Sequence, residues 1–168
     1  MTTISGGSGN DTLSGTSKAD VISGGAGDDR IDGGKGNDRI DGGAGNDVII
    51  GGAGADTLTG GSGKDVFVYL AASESSISSW DRITDFTQGR DKIDLMALLG
   101  LKTDLAWGGK TALAYGAWYQ NSGSSTFVYA DTTGNGKADL KIELMNTAGL
   151  KLTVNDFLGV GNAAVNHP

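Results

Sequence analysis

Along the first part of the chain one large apolar side chain returns at every ninth position: Leu13, Ile22, Ile31, Ile40, Ile49, Leu58 and Phe67. That period matches neither a helical stripe nor the alternation of a long strand. It marks a repeat in which each unit offers a single inward side chain. Cutting at the glycine pairs gives seven units without insertion: "GGSGNDTLS" from Gly6, "GTSKADVIS", "GGAGDDRID", "GGKGNDRID", "GGAGNDVII", "GGAGADTLT" and "GGSGKDVFV" from Gly60. Three residues of each unit, such as Arg30-Ile31-Asp32, read as a short strand with the middle side chain inward. The other six, rich in glycine, read as the turn. Two units then complete one coil, so residues two units apart are stacked neighbours.

After the seventh unit the pattern changes. Val66–Tyr69 extends the last strand. "WDRITDF" and "DKIDL", apolar–polar alternations separated by "TQGR", then read as an antiparallel hairpin. "STFVYAD" and "ADLKIEL", around "TTGNGK", read as a second hairpin, and "KLTVNDFL" as a further strand. "DLMALLGL" suggests one short helical turn.

Composition divides the chain at the same point. Residues 1–68 hold 19 of the 30 glycines and carry 10 acidic against 5 basic side chains; residues 69–168 carry 10 against 8 and hold all three tryptophans. An acidic chain without a basic patch is not expected to bind nucleic acid. The absence of cysteine removes disulfides and thiolate metal sites. No apolar run is long enough for a membrane span. The opening "MTTISGGSGND" has neither a basic n-region nor an apolar h-region, so no cleavable signal peptide is expected.

The sixth place of every unit is aspartate. Asp11, Asp29, Asp47 and Asp65 stack on one edge of the coils, and Asp20, Asp38 and Asp56 on the other. Carboxylates at the strand spacing of ~4.8 Å repel unless a cation lies between them. One apolar side chain in nine residues is too little burial to offset the ordering of so glycine-rich a chain. The roll is therefore expected to need its cation in order to fold. Carboxylate and carbonyl oxygens, with no histidine or cysteine, suit a hard ion, and an adjustable loop of carbonyls favours Ca²⁺ over Mg²⁺.

These units resemble the RTX (repeats-in-toxin) β-roll. The stretch from "FVYLAASES" through "WDRITDF", "DKIDL" and "ADLKIEL" to "VNDFL" resembles the C-terminal domain of serralysin-type secreted metalloproteases. It is also similar to repeat modules of secreted alginate epimerases and of RTX-bearing lyases and lipases. The resemblance implies an all-β fold: a right-handed parallel β-roll over residues 5–68, capped by a small antiparallel β domain over residues 69–160, with a tail at 161–168. It also implies that each ion sits between stacked loops. The earlier loop gives the carbonyls of places two and four and its aspartate; the later loop gives the carbonyls of places one and three and its aspartate.

Carried onto this chain, four sites are well formed. They are Gly7, Gly9 and Asp11 with Gly24, Ala26 and Asp29, and Gly25, Gly27 and Asp29 with Gly42, Ala44 and Asp47. The other two are Gly34, Gly36 and Asp38 with Gly51, Ala53 and Asp56, and Gly43, Gly45 and Asp47 with Gly60, Ser62 and Asp65. A fifth, Thr16, Lys18 and Asp20 with Gly33, Lys35 and Asp38, departs from the pattern and is expected to bind weakly at best. Four to five ions are thus expected in the roll, with more possible in the cap. Four would change the roll's net charge of −5 to +3.

In the second half, Asp131, Asn135 and Gly136 fit three places of an EF-hand loop, but Thr133 and Ile142 stand where acids belong, so a hairpin turn is the better reading. Asp81, Asp85, Asp91 and Asp94 read as strand-end caps and surface charges, with a further calcium site as the alternative. Trp107, Tyr115, Trp118 and Tyr119 read as core, with a sugar-stacking platform as the alternative.

Catalytic patterns fail one by one. "GGKT" has Asp104 where a P-loop needs its first glycine, there is no G-x-S-x-G elbow, and the single histidine, His167, leaves no base for a triad. The expected function is a non-catalytic calcium-binding module. On this reading it folds on calcium outside the cell and supports the export and stability of a secreted bacterial protein. Its expected partners are a type I secretion machinery, for which "VNDFLGV" resembles the C-terminal signal, and a catalytic or effector domain N-terminal to it. Two other readings stay open: an accessory module that binds an anionic, alginate-like polysaccharide, and a surface segment that self-associates through calcium.

Overall fold

Successive units go to opposite sheets. In the computed structural model, which describes residues 1–99 and 105–162, β1 (Thr3–Ser8), β3 (Val21–Ala26), β5 (Arg39–Ala44) and β7 (Thr57–Ser62) stack in parallel in one sheet. β2 (Thr12–Ser14), β4 (Arg30–Asp32), β6 (Val48–Ile50) and β8 (Val66–Val68) stack in parallel in the other. The register pairs Ile4 with Ile22, Ile22 with Ile40 and Ile40 with Leu58. On the facing sheet Leu13 pairs with Ile31, Ile31 with Ile49 and Ile49 with Phe67. Two units therefore make one coil, as the period predicts. The inward side chains from Ile22 to Phe67 are buried, while Ile4 and Leu13 of the first coil are partly exposed.

The strands of the first sheet are longer than the three residues expected. Their pairing runs on into the glycine turns, Gly7 to Gly25 to Gly43 to Gly61. Glycine permits it: a Cβ at Gly25 or Gly43 would collide with the carbonyl of the glycine stacked beneath it.

The expected hairpin of "WDRITDF" and "DKIDL" does not form. β9 (Asp81–Ile83) pairs in parallel with β7, and β10 (Lys92–Asp94) pairs in parallel with β8, each on a different sheet. Ile83 stacks on Leu58 and Ile93 on Phe67, so the alternation that reads as a hairpin supplies the inward positions of one more coil. Both sheets thus continue past the last nonapeptide. The second expected hairpin forms: β13 (Ser125–Ala130) and β14 (Leu140–Leu144) are antiparallel, and β12 (Gly116–Ser122) adds to them antiparallel. This meander joins the roll where β14 pairs with β9. β11 (Leu105–Trp107) lies parallel between β12 and β16 (Val160–Asn162). β15 (Phe157–Leu158), from "KLTVNDFL", adds in parallel to β10 rather than to the antiparallel meander.

A 3₁₀ turn at Met96–Leu99 matches the helical turn expected in "DLMALLGL", whose last residues lie outside the described residues, as do Asp104, His167 and all but the start of the expected tail. The cap's core (Tyr69, Ile83, Ile93, Leu105, Val128, Leu140, Ile142, Leu144 and Phe157 among others) is continuous with the inward column of the roll. Trp118 and Tyr119 are buried and Trp107 packs on Tyr119 and Phe157, as the core reading expects; Tyr115 is 55% exposed and does not.

Candidate metal centre

Each turn aspartate sits where its unit leaves the glycines for the strand, and its carboxylate points back to the preceding coil. One oxygen, Oδ1, accepts the N–H of the aspartate one coil earlier. On one edge Asp11 donates to Asp29 at 2.8 Å, Asp29 to Asp47 at 2.8 Å and Asp47 to Asp65 at 3.0 Å. On the other edge Asp20 donates to Asp38 at 2.8 Å and Asp38 to Asp56 at 2.7 Å. The sequence places these residues in two stacks; the structure joins each stack into a hydrogen-bonded ladder.

The second oxygen is the telling one. Oδ2 of Asp29, Asp38, Asp47, Asp56, Asp65 and Asp81 is buried and has no hydrogen-bond partner among the described residues. A buried carboxylate oxygen without a donor is costly, and natural structures rarely leave one. The five within the repeats, Asp29 to Asp65, each lie against the first glycine of their own unit. A Cβ added at Gly6, Gly24, Gly33 or Gly42 would touch two oxygens at once: Oδ2 of that unit's aspartate (Asp11, Asp29, Asp38 or Asp47) and the first carbonyl of the next coil (Gly24, Gly42, Gly51 or Gly60). Acceptor faces acceptor four times, in space that only glycine leaves open. A hard divalent cation satisfies such an all-oxygen cradle, so the residues present fit calcium. Among the described residues no three His, Cys, Asp or Glu side chains gather to hold a metal by themselves. The carboxylates come in stacked pairs and the remaining donors are carbonyls.

Electrostatics follow the geometry. Burial, and then the neighbouring carboxylates, raise the Asp38 and Asp47 carboxyls, Asp65 to about 6 and Asp56 to about 7. The same causes raise Asp81 to about 8. Asp20 differs: the Thr16 hydroxyl at 2.6 Å and the Thr16 N–H at 2.8 Å both donate to its Oδ2, and its carboxyl drops to about 2. The irregular second unit thus satisfies its own aspartate.

Both ladders continue beyond the repeats. Asp56 donates to Asp81 at 2.9 Å and Asp65 to Asp91 at 3.3 Å, so these two aspartates are buried rungs rather than surface charges. Asp85 and Asp94 do cap backbone: Asp85 accepts the N–H groups of Gly60 and Gly61, and Asp94 that of Met96. Tyr69, whose buried hydroxyl lies near Asp81 but makes no hydrogen bond of good geometry among the described residues, is held un-ionised by burial and by the charges of Asp81 and Asp56. Asp131 is the opposite case: the N–H groups of Thr133, Gly134 and Gly136 occupy both its oxygens. Burial opposes its charge, those donors outweigh it, and its carboxyl is lowered. This is the hairpin-turn geometry.

One set of positions escaped the reading of the sequence. Asn10, Asp28 and Asn46, at the fifth place, each accept the N–H of the fifth residue one coil later, at 2.7–2.9 Å. Asn37 does so for Ala55 at 3.1 Å. This outer ladder runs opposite in sense to the aspartate ladder and clamps successive turns. Its signal is present in the sequence as an Asn or Asp preceding the invariant aspartate in four of seven units.

Among solved structures, the AlgE6R2 subunit of the Azotobacter vinelandii mannuronan C5-epimerase is 28% identical over 92% of this chain and 91% of that one, with a TM-score of 0.47. The AlgE6R3 subunit of the same enzyme is 27% identical over 95% and 81%, with a TM-score of 0.48. The extracellular lipase LipA of Serratia marcescens is 12% identical over 89% of this chain and 38% of its own, with a TM-score of 0.43. No curated protein gives a significant match. No helix among the described residues is long and apolar enough to cross a membrane. The family model described as peptidase M10 serralysin C terminal matches residues 2–159, and the chain belongs to that family, as a non-catalytic, calcium-binding repeat module.

Proposed function

We propose that this module couples its folding to calcium, taken up between stacked coils by Asp11 with Asp29, Asp29 with Asp47, Asp38 with Asp56 and Asp47 with Asp65, together with the turn carbonyls beside them. The observation that carries the reading is the row of buried Oδ2 atoms facing carbonyls across glycine. Bound calcium supplies the positive charge that these facing oxygens lack. The chain's own part is to fix the spacing: the two ladders hold carboxylates in register, and the glycines keep the intervening space clear. Four places follow this pattern. The fifth, at Asp20, is closed by Thr16. Asp56 and Asp81, whose Oδ2 atoms are likewise buried with no hydrogen-bond partner among the described residues, offer a further place.

A module of this kind remains unfolded and threadable where calcium is scarce and folds in extracellular calcium, stabilising a linked domain of a secreted protein by mass action. Type I export is the route the family resemblance suggests. The coupling is tested by far-UV circular dichroism of the full chain: EDTA should abolish the β signal of the roll and excess calcium restore it. An undiminished signal in EDTA would remove the reading.

A second reading, polysaccharide binding, is favoured by one surface. On the outer face of β9, β14 and β13 the Lys141 ammonium lies 3.3 Å from the centre of the Trp80 ring and 4.6 Å from that of Phe127, with Arg82 also over Trp80. Aromatic faces and cations together suit an acidic sugar chain. Titrating alginate into the calcium-loaded protein should perturb the Trp80 indole resonance; no perturbation excludes this face.

A further inference from the structure

One rung of the ladders contains a cation that the chain itself supplies. Arg90 lies in the loop between β9 and β10, beside the last rung of the Asp11–Asp65 edge. Its Nε donates to Asp91 Oδ1 at 3.2 Å, and its Nη2 donates to the Gly61 carbonyl at 3.2 Å and to the Thr87 hydroxyl at 3.1 Å. Asp91 Oδ1 is the same atom that accepts the Asp65 N–H, and the Arg90 charge also acts on Asp65. Gly61 is the second place of the seventh unit. In the proposed sites the second-place carbonyl and the two stacked aspartates are calcium ligands, so the guanidinium engages the groups that would hold an ion in the next position of this column.

We propose that the Asp65–Asp91 rung is a latent divalent-cation site whose resident cation is the Arg90 guanidinium. This rests on the calcium reading of the other rungs. Three features separate it from an ordinary surface ion pair. Asp65 and Asp91 are both buried, at 1% exposure. Asp65 Oδ2 has no donor among the described residues, whereas Asp91 Oδ2 accepts the Thr87 N–H at 2.7 Å, so the acceptor capacity that remains on that rung is carried by Asp65. The guanidinium also reaches a backbone carbonyl of the repeat itself, which an acid–base pair alone would not require. The opposite column supplies the contrast. Its last rung, Asp56 with Asp81, has no arginine or lysine hydrogen-bonded to it among the described residues, and both Oδ2 atoms there lack partners. One column therefore ends on the chain's own charge and the other ends open to a metal. The seam between repeats and cap is neutralised on one edge without calcium.

Arg90→Gln removes the charge while keeping a polar side chain of similar reach. Isothermal titration and native mass spectrometry of the full chain should show one more calcium ion per chain than wild type, and the calcium dependence of Tm should steepen by one ion. Arg90→Lys, which keeps a cation, should bind the wild-type number. Adding Asp91→Asn to Arg90→Gln should abolish the gain. An unchanged ion count in a folded Arg90→Gln protein overturns the proposal. So does failure of that variant to fold in calcium that folds wild type, because a site able to exchange guanidinium for a divalent ion must recover with the ion. If wild type itself binds no calcium, the calcium reading fails instead, and the two failures are distinct.

Discussion

The substitution Gly42→Ala tests whether the space beside the aspartates is a calcium cradle. Gly42 is not among the glycines with positive φ, so alanine brings no backbone strain there. Its new methyl would lie 2.7 Å from the Gly60 carbonyl oxygen and closer still to Asp47 Oδ2, inside the cradle between Asp47 and Asp65. Gly7 is the matched control: it also lacks positive φ, and a Cβ there meets nothing within 4 Å. An ion present at a hundred times its Kd stabilises the fold by about 2.7 kcal/mol. Gly42→Ala should lose about that much at saturating calcium, on top of a calcium-independent cost of the methyl's overlap with the Gly60 carbonyl. The calcium-dependent part of the difference from wild type should shrink by about 1.4 kcal/mol for each tenfold dilution of the ion. Gly7→Ala should change stability by no more than about 0.5 kcal/mol. Titration calorimetry should count one ion fewer in Gly42→Ala, and thermal melts across buffered calcium should show a shallower rise of Tm. Equal ion counts and equal calcium dependence in the two variants would refute the cradle.

Protons and calcium compete for the same carboxylates. Without calcium, Asp65, Asp56 and Asp81 have folded values of about 6, 7 and 8, above those of the unfolded chain. Their contribution favours folding below the unfolded carboxyl range and is lost as pH rises through those folded values. In EDTA, acidification through that window should increase β signal by circular dichroism, whereas calcium affinity should weaken over the same window; a β signal that falls on mild acidification contradicts the first half. Replacing both Thr16 and Lys18 by glycine removes the Thr16 hydroxyl from Asp20 Oδ2 and restores the glycine pattern of the turn, and should add one ion to the count measured by native mass spectrometry. Asp131→Asn should leave the ion count unchanged but cost about 1–3 kcal/mol in thermal melts, because it weakens several hydrogen bonds to a charged group.

The nine-residue period was enough to place the roll and its two stacks of aspartate. Each of these depends on residues at fixed spacing within one repeated unit, and stacking turns spacing in sequence into distance in space. The departures of the second unit were equally legible, since Thr16 and Lys18 stand where the pattern has glycine. The fifth-place ladder could have been read and was not, because Asn and Asp in a turn look like ordinary turn formers.

Other features were decided only by the tertiary structure. "WDRITDF" and "DKIDL" alternate as well for a hairpin as for a further coil; burial of Ile83 against Leu58 and Ile93 against Phe67 selects the coil. That choice carries Asp81 and Asp91 into the buried ends of the ladders, where local sequence suggests surface caps. It also brings Arg90 to the carbonyl of Gly61, from far along the chain. A periodic sequence fixes what each repeat does to its neighbour, because every unit meets a copy of itself. Where the repeat ends, the neighbour is no longer a copy, and the contacts depend on which side chains the closing loops bring to the seam.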